Sequence, residues 1–267
     1  MKTFYDRQKK RLIYSGKKPS PKFWDTHWDK TEADVAGIVE TTRTFATLIT
    51  QRYLKPGDGI ILEGGCGRGQ NVAALVNQGY KCIGIDWAEK TVALLNRYAA
   101  ELDIRQGDVR KLPFPDNYFA GYWSVGVIEH FRDGYEPIAL EMTRVIKDNG
   151  YLFLAFPYMS PLRKFKAAMG IFSENKTDEV EYFYQFALDK KEVINHFESL
   201  GFTLVRSIPF SSIKGLKDEI VFLKPLMQKL YDYKGHNRLI NLFKSYLSIG
   251  VAPVACHSVL LVLRKNA

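Results

Sequence analysis

An α/β protein, with a mostly parallel sheet and helices on both faces, is predicted by three features of this sequence. Apolar strand-like runs alternate with helical segments from Ile60 onward, a glycine-dense turn follows the first of those runs, and an acidic residue closes each of three successive runs. Such alternation implies right-handed βαβ crossovers, which cover a parallel sheet on both sides.

The elements follow in order. Residues 1–57 are polar, basic and aromatic and read as an N-terminal helical cap segment; a helix is expected from Thr31, capped by Thr31 with Asp34 three positions on, until Lys55-Pro56-Gly57-Asp58-Gly59 breaks it. Residues 58–267 form the main domain. Its strands are expected at Ile60–Glu63, Lys81–Asp86, Asp103–Gly107, Phe119–Val125, Tyr151–Phe156 (after an Asn149-Gly150 turn), Phe202–Ile208 and Cys256–Leu263. Helices are expected over Gln70–Asn77, Glu89–Glu101, through Ile138–Ile146, and over Lys190–Leu200, ending at Gly201. Two insertions interrupt the rhythm. Residues 157–188, rich in aromatics and lysine, read as a lid or substrate segment, and residues 209–253 carry the leucine, isoleucine and phenylalanine spacing of two amphipathic helices.

A chain of 267 residues with 46% hydrophobic and 25% charged residues can bury a core, which excludes disordered and disulfide-scaffold classes. The net charge of +9 permits contact with phosphates, anionic lipid or nucleic acid. Cys66, Cys82 and Cys256 are odd in number and lack metal-site spacing, so no metal is expected and a reduced, cytoplasmic protein is. The N-terminus lacks the apolar core of a signal peptide, and no apolar run is long enough to span a bilayer.

The segment Gly59–Gly69 reads GIILEGGCGRG. Glycines let the chain turn tightly against a ligand, and the following helix N-terminus favours a carboxylate or phosphate. The nicotinamide-nucleotide fingerprint requires a third glycine where Gln70 stands, and no Gly-Lys-Ser/Thr follows for a phosphate loop. Glu63 is an awkward neighbour for a pyrophosphate and suits a ligand with an ammonium and a sulfonium. Asp86 can accept both hydroxyls of a ribose, Trp87 offers a face for adenine, and Asp108 can accept from the adenine amino group. Three acids at successive strand ends line one crevice, the ligand site of an open α/β sheet.

The ordered set ILEGGCGRG, IGIDWAEKTV, GDVRKLPFPDNYFAGYWSVGVIEHF and VIKDNGYLFLAFP resembles the class I S-adenosylmethionine-dependent methyltransferases, especially their small-molecule branch, over about residues 58–157. The resemblance implies a Rossmann-like seven-stranded sheet whose last strand is antiparallel, with S-adenosylmethionine as cofactor. It implies that Gly64, Gly65 and Gly67 face the methionine portion, that Asp86 holds the ribose, that Trp87 flanks the adenine, that Asp108 and Val109 meet its edge, and that Ser124–Gly126 lie under the transferring methyl. Phe202–Ile208 and Ser258–Leu263 fit the last strand pair, although the long insertion between them departs from the minimal pattern.

Glu129 and His130 follow the fourth strand, near where the methyl would emerge, so His130 is a candidate base and either residue could instead cap a helix. Tyr158 is a candidate acceptor contact or a core tyrosine. His27, Trp24 and Trp28 either cover the cofactor or pack on the sheet, and His196, His236 and His257 read as structural or exposed. The acceptor is expected to be a small molecule, a sugar or a lipid-linked group, anionic or amphiphilic, because the inserts are basic and aromatic. They also leave room for peripheral membrane contact. Ser124-Val125-Gly126-Val127 lacks the Asn/Asp-Pro-Pro-aromatic pattern of enzymes that methylate base amino groups, so DNA is not expected. RNA or protein methylation, an inactive binding module and an oxidoreductase on a related fold are the alternatives; oligomeric state is not legible.

Overall fold

The structure, a computed structural model, describes residues 2–28, 32–174 and 182–267. The chain opens with strands β1 (Thr3–Asp6) and β2 (Arg11–Ser15), then helices α1 (Pro21–His27), α2 (Glu32–Val39) and α3 (Phe45–Thr50). An alternating stretch follows: β3 (Ile60–Gly64), α4 (Gln70–Asn77), β4 (Lys81–Asp86), α5 (Glu89–Tyr98), β5 (Asp103–Gln106) and β6 (Phe119–Val125). A 3-10 turn at Ile128–His130 leads to α6 (Glu136–Val145) and β7 (Ile146–Pro157). Next come α7 (Pro161–Ala168), β8 (Ser173–Glu174), β9 (Phe183–Ala187), α8 (Lys190–Ser199) and β10 (Phe202–Phe210). The last part comprises α9 (Ser212–Glu219), a 3-10 turn at Val221–Leu223, α10 (Lys224–Asp232), α11 (Arg238–Ala255) and β11 (Ser258–Lys265).

Seven strands form the main sheet in the order β10-β11-β7-β6-β3-β4-β5. Those from β3 to β7 run parallel, and β11 is antiparallel to both neighbours, β7 and β10. From β3 the chain steps outward in one direction through β4 and β5, then returns to β3's other side for β6 and β7. That reversal opens a crevice at the carboxyl ends of β3, β4 and β6. The sheet is apolar on both sides: Leu62, Tyr122, Leu152 and Leu261 pack into one layer, Ile61, Trp123, Phe153 and Leu260 into the other. Strands covered on both faces read as continuous hydrophobic runs, which is why these stood out in the sequence.

Three expectations need correction. The N-terminal segment is not helical at its start, because β1 and β2 pair and join β8 and β9 in a second sheet, β8-β1-β2-β9. Leu12, Ile13 and Tyr14 are buried there, and partners from residues 157–188 supply the cover that local polarity hid. The single helix expected up to Leu54 is two, because Thr44 and Thr47 cap each other reciprocally and start α3 afresh; Thr31, its expected cap, lies outside the described residues, as does the Asp34 side chain. The insertion at 209–253 holds three helices rather than two. The Asn149-Gly150 turn is present as a kink inside β7, with Asn149 at φ 64°.

Candidate active site

The glycine turn and the end of β4 are built as one unit. Gly65 and Gly67 have φ of 74° and 50°, a region that side-chain-bearing residues rarely occupy. The amides of Gly65 and Cys66 donate to the Ile85 carbonyl at 2.7 and 3.0 Å. Asp86 closes the unit: its Oδ2 accepts from the Gly67 amide at 2.7 Å and its Oδ1 from the Ala88 amide at 2.9 Å. Burial raises the Asp86 pKa above the usual carboxylate range, opposed by these amides. Each oxygen keeps a lone pair for a further donor.

Gly65, Asp86, Trp87, Asp108 and Val109 line one pocket of about 70 Å³. Val125, Gly126 and Val127 from the end of β6 complete its floor, with His130 and Phe131 beyond them. A Cβ on Gly65 would lie 2.5 Å from a Val127 methyl, so the cradle stays open only with glycine. Trp87 lies 5.9 Å from Phe131, and the Arg110 guanidinium sits over both rings. Asp108 is chelated by Arg110 at 2.6 Å, which lowers its pKa against a desolvation that would raise it.

The N-terminal aromatics cover this pocket. Trp24 and Trp28 line it from α1 and its C-cap, stacked at 5.9 Å, and the Trp28 ring lies 3.1 Å from where a Gly67 Cβ would be. Trp24 meets His130 edge-on at 4.9 Å. His27 packs among Phe23, Trp24 and Trp28.

Glu63, Gly64, Gly67 and Ser124 are not among the residues lining the pocket, although Gly67 lies directly beneath the Trp28 ring that does. Glu63 is buried behind the turn; its Oε1 accepts from Asn71 at 2.7 Å, while Oε2 has no partner among the described residues. Burial pushes its pKa up to about 8, against the Asn71 hydrogen bond. Gly64 has a packing reason, since a Cβ there would collide with the Tyr122 hydroxyl. Ser124 is fully buried within β6. Phe131, Val127 and Arg110 were missed by the sequence reading, although each follows a motif end that it had marked.

A second, larger cavity of about 900 Å³ adjoins the first and shares Val125, Gly126 and His130 with it. The His130 Nδ1 lies 2.9 Å from the Tyr184 carbonyl oxygen. A carbonyl only accepts, so Nδ1 carries the hydrogen and Nε2 the free lone pair. Burial lowers the His130 pKa to about 4, against the Tyr184 bond, so the ring is neutral at pH 7. Glu129 lines the same cavity; its Oε2 is unpartnered among the described residues, and burial pushes its pKa up to about 8.

The far wall is charged. Arg163, fully buried, bonds Glu219 at 2.7 Å and the Tyr158 and His257 carbonyls at 2.8 and 3.0 Å; Lys166 holds the other Glu219 oxygen at 2.7 Å. Lys214 pairs with Asp218 at 2.9 Å. Lys217 is 3.9 Å from Asp218, and Lys224 lines the cavity with no ion pair among the described residues. The wall therefore presents surplus positive charge. The Tyr158 side chain is buried in the core and does not line the cavity, whereas His257, buried beside Arg163, does line it.

Sheet order and the turn-centred crevice define a class I methyltransferase fold. Residues 62–154 match the family model described as a methyltransferase domain. A protein of Mycolicibacterium smegmatis, described as a probable S-adenosylmethionine-dependent methyltransferase, is 28% identical over 142 residues, 53% of this chain and 51% of that one. The chain thus spans about half the length of this curated relative. Two solved structures, each 17% identical, share the fold: a SAM-dependent methyltransferase from Archaeoglobus fulgidus (TM-score 0.53, covering 85% of this chain and 97% of that one) and the [4+2]-cyclase SpnF (TM-score 0.57, covering 96% and 99%). Since one neighbour is described as a cyclase, the reaction must be argued from the site rather than from the fold.

Proposed function

We propose that this protein transfers the methyl group of S-adenosylmethionine to an anionic small-molecule, sugar or lipid-linked acceptor held in the larger cavity. One observation carries the reading: the two pockets meet at Val125, Gly126 and His130, so a group presented at the floor of the first faces the second.

The residues fit the cofactor. Asp86 has lone pairs for the ribose hydroxyls, Trp87 and Val109 supply apolar surface for the adenine, and the glycine cradle admits the methionine portion close to backbone. The bound sulfonium supplies an already activated methyl for in-line displacement, so the protein's task is to position the acceptor. His130, neutral, accepts a hydrogen bond from the acceptor through Nε2 without repelling a sulfonium. Glu129, with a pKa near the working pH, takes the acceptor's proton. Lys217 and Lys224 hold the acceptor's negative charge at the far wall.

The test is methyl uptake from labelled S-adenosylmethionine into cell-extract fractions, read by mass spectrometry, together with calorimetric titration of the cofactor. Methylated product with wild type and none with Asp86→Ala supports the reading. Cofactor binding without product in any fraction would leave a binding module, and absence of cofactor binding would end the proposal.

A further inference from the structure

The helix α11 carries its apolar residues on the wrong side for a protein surrounded only by water. Leu247, Val251 and Ala255 face inward and pack with Ile213 and Leu216 of α9. Outward stand Leu239, Leu242, Phe243, Tyr246, Ile249 and Val254, all exposed; Leu239 is 77% and Tyr246 72% accessible. That outer stripe contains no charged residue. A helix apolar on both sides requires a cover on its free side.

Neighbouring elements extend the same surface. Val221 and Phe222, at the turn before α10, are 83% and 82% exposed, and Phe165 and Met169 are exposed on and just after α7, which contacts α11. Between α10 and α11 runs an apolar groove of about 380 Å³ lined by Leu226, Leu230, Tyr233, Leu239, Ile240 and Phe243, with Lys229 at its side. The charges nearby are predominantly basic. Residues 220–255 hold five lysines and arginines against a single acid, Asp232, and α11 itself has Arg238 and Lys244 but no acid.

We infer that this face seats the protein on an anionic lipid bilayer. Three observations select a bilayer over a second copy or another protein. The stripe is aliphatic and aromatic with mainly basic residues around it, the pattern of a helix lying in a headgroup layer. Like charges on two copies would be brought together by self-association, whereas anionic lipid neutralises them. The acceptor cavity also opens toward this side, because Val221, Lys224 and Ile171 line it, Val221 and Ile171 are exposed, and α7, which ends just before Ile171, contacts α11. No helix among the described residues is long and apolar enough to cross a membrane, so the mode is lying on the surface.

The consequence, which rests on the proposed function, is that the acceptor is a membrane-resident amphiphile. Its anionic headgroup enters the cavity toward Lys217 and Lys224, and the groove between α10 and α11 holds part of its hydrocarbon.

The experiment uses the full chain with vesicles of phosphatidylcholine alone or mixed with phosphatidylglycerol, assayed by co-sedimentation, with S-adenosylmethionine affinity measured by calorimetry on the same samples. Binding to the phosphatidylglycerol vesicles, falling with salt and at least tenfold weaker for the Phe243→Asp/Tyr246→Asp double variant, supports the inference, provided that variant keeps its melting temperature. Absence of binding to anionic vesicles, or binding indifferent to the double variant, overturns it. So does a dimer in sedimentation velocity that the double variant dissolves, since the face would then belong to a second copy. Loss of cofactor binding would defeat the methyltransferase reading while leaving vesicle binding to be judged separately.

Discussion

The Nδ1 of His130 lies 2.9 Å from the carbonyl oxygen of Tyr184, which fixes the tautomer of the one side chain that both spans the two pockets and can accept a proton or a hydrogen bond through a free ring nitrogen. Tyr184 follows the start of β9, so the second sheet orients the ring. His130→Ala should lower turnover roughly a hundredfold with cofactor affinity unchanged, the scale expected for a lost proton-transfer or orienting group. Full activity would return His130 to a packing role.

Glu129 makes a separate prediction about pH. With its pKa near 8, the ionised form gains population as pH rises. Turnover should climb roughly tenfold per unit up to about pH 8 and then level, as for a single ionising base. Glu129→Gln should remove that climb and lower the plateau. A rate–pH profile unchanged in the variant would exclude Glu129 as the proton acceptor.

The cofactor pocket should respond to three substitutions of different kinds. Asp86→Ala removes the acceptor for ribose hydroxyls and also frees the Gly67 and Ala88 amides, so binding should weaken by a hundredfold or more, about 3 kcal/mol for a charged hydrogen-bonding group. Gly67→Val would strain a backbone at φ 50° and push on Trp28, abolishing binding. Trp28→Ala should do the reverse: the present 70 Å³ is well below the roughly 300 Å³ of a ligand pocket, so clearing this ring should speed cofactor entry. Stopped-flow binding checks all three, and unchanged constants in Asp86→Ala would remove that residue from the site.

Much of this was legible because it is local. The strands β3, β4 and β6 announced themselves through uninterrupted apolar runs, and the glycine turn with Asp86 lies within one stretch of chain. Glu63 and Ser124 were read as ligand-facing from their motif positions, whereas burial depth depends on how α4 and β6 pack over them. The hairpin of β1 and β2 was invisible because its partners, β8 and β9, come from a distant segment. The Arg163–Glu219 pair likewise joins two insertions that sequence spacing does not relate. His257 had no neighbouring partner in sequence, yet Arg163 and Lys214 reach it from two other elements.

Glu63 and Glu129 together make folding sensitive to pH in an unusual direction. Both carboxyls rise from about 4.5 to about 8 on burial. Between those values the folded chain keeps protons that the unfolded chain has lost, so stability is fully present below about pH 4.5 and declines as pH rises toward 8, by about 1.4 kcal/mol per unit for each group. His130 and His257, whose pKa values burial lowers to about 4, oppose this slope below about pH 6.5, so thermal melts should slope downward from about pH 6.5 to 8, where Glu129→Gln should halve the slope.

Arg163 offers the sharpest stability test because nothing about it is exposed. Its guanidinium bonds Glu219, two backbone carbonyls and the His257 ring. Arg163→Ala would strand the carbonyls and leave Glu219 with Lys166 alone, an uncompensated loss of about 3–5 kcal/mol. At this chain length the melting temperature should fall by roughly 10 °C. Arg163→Lys cannot restore the fork, because one ammonium cannot reach the carboxylate and both carbonyls together. The double variant Arg163→Met/Glu219→Met should recover most of the loss, since buried pairs replaced by apolar groups of similar size are often neutral. If the double variant is as unstable as Arg163→Ala, the carbonyl bonds rather than the ion pair tie the insertion helices to β7.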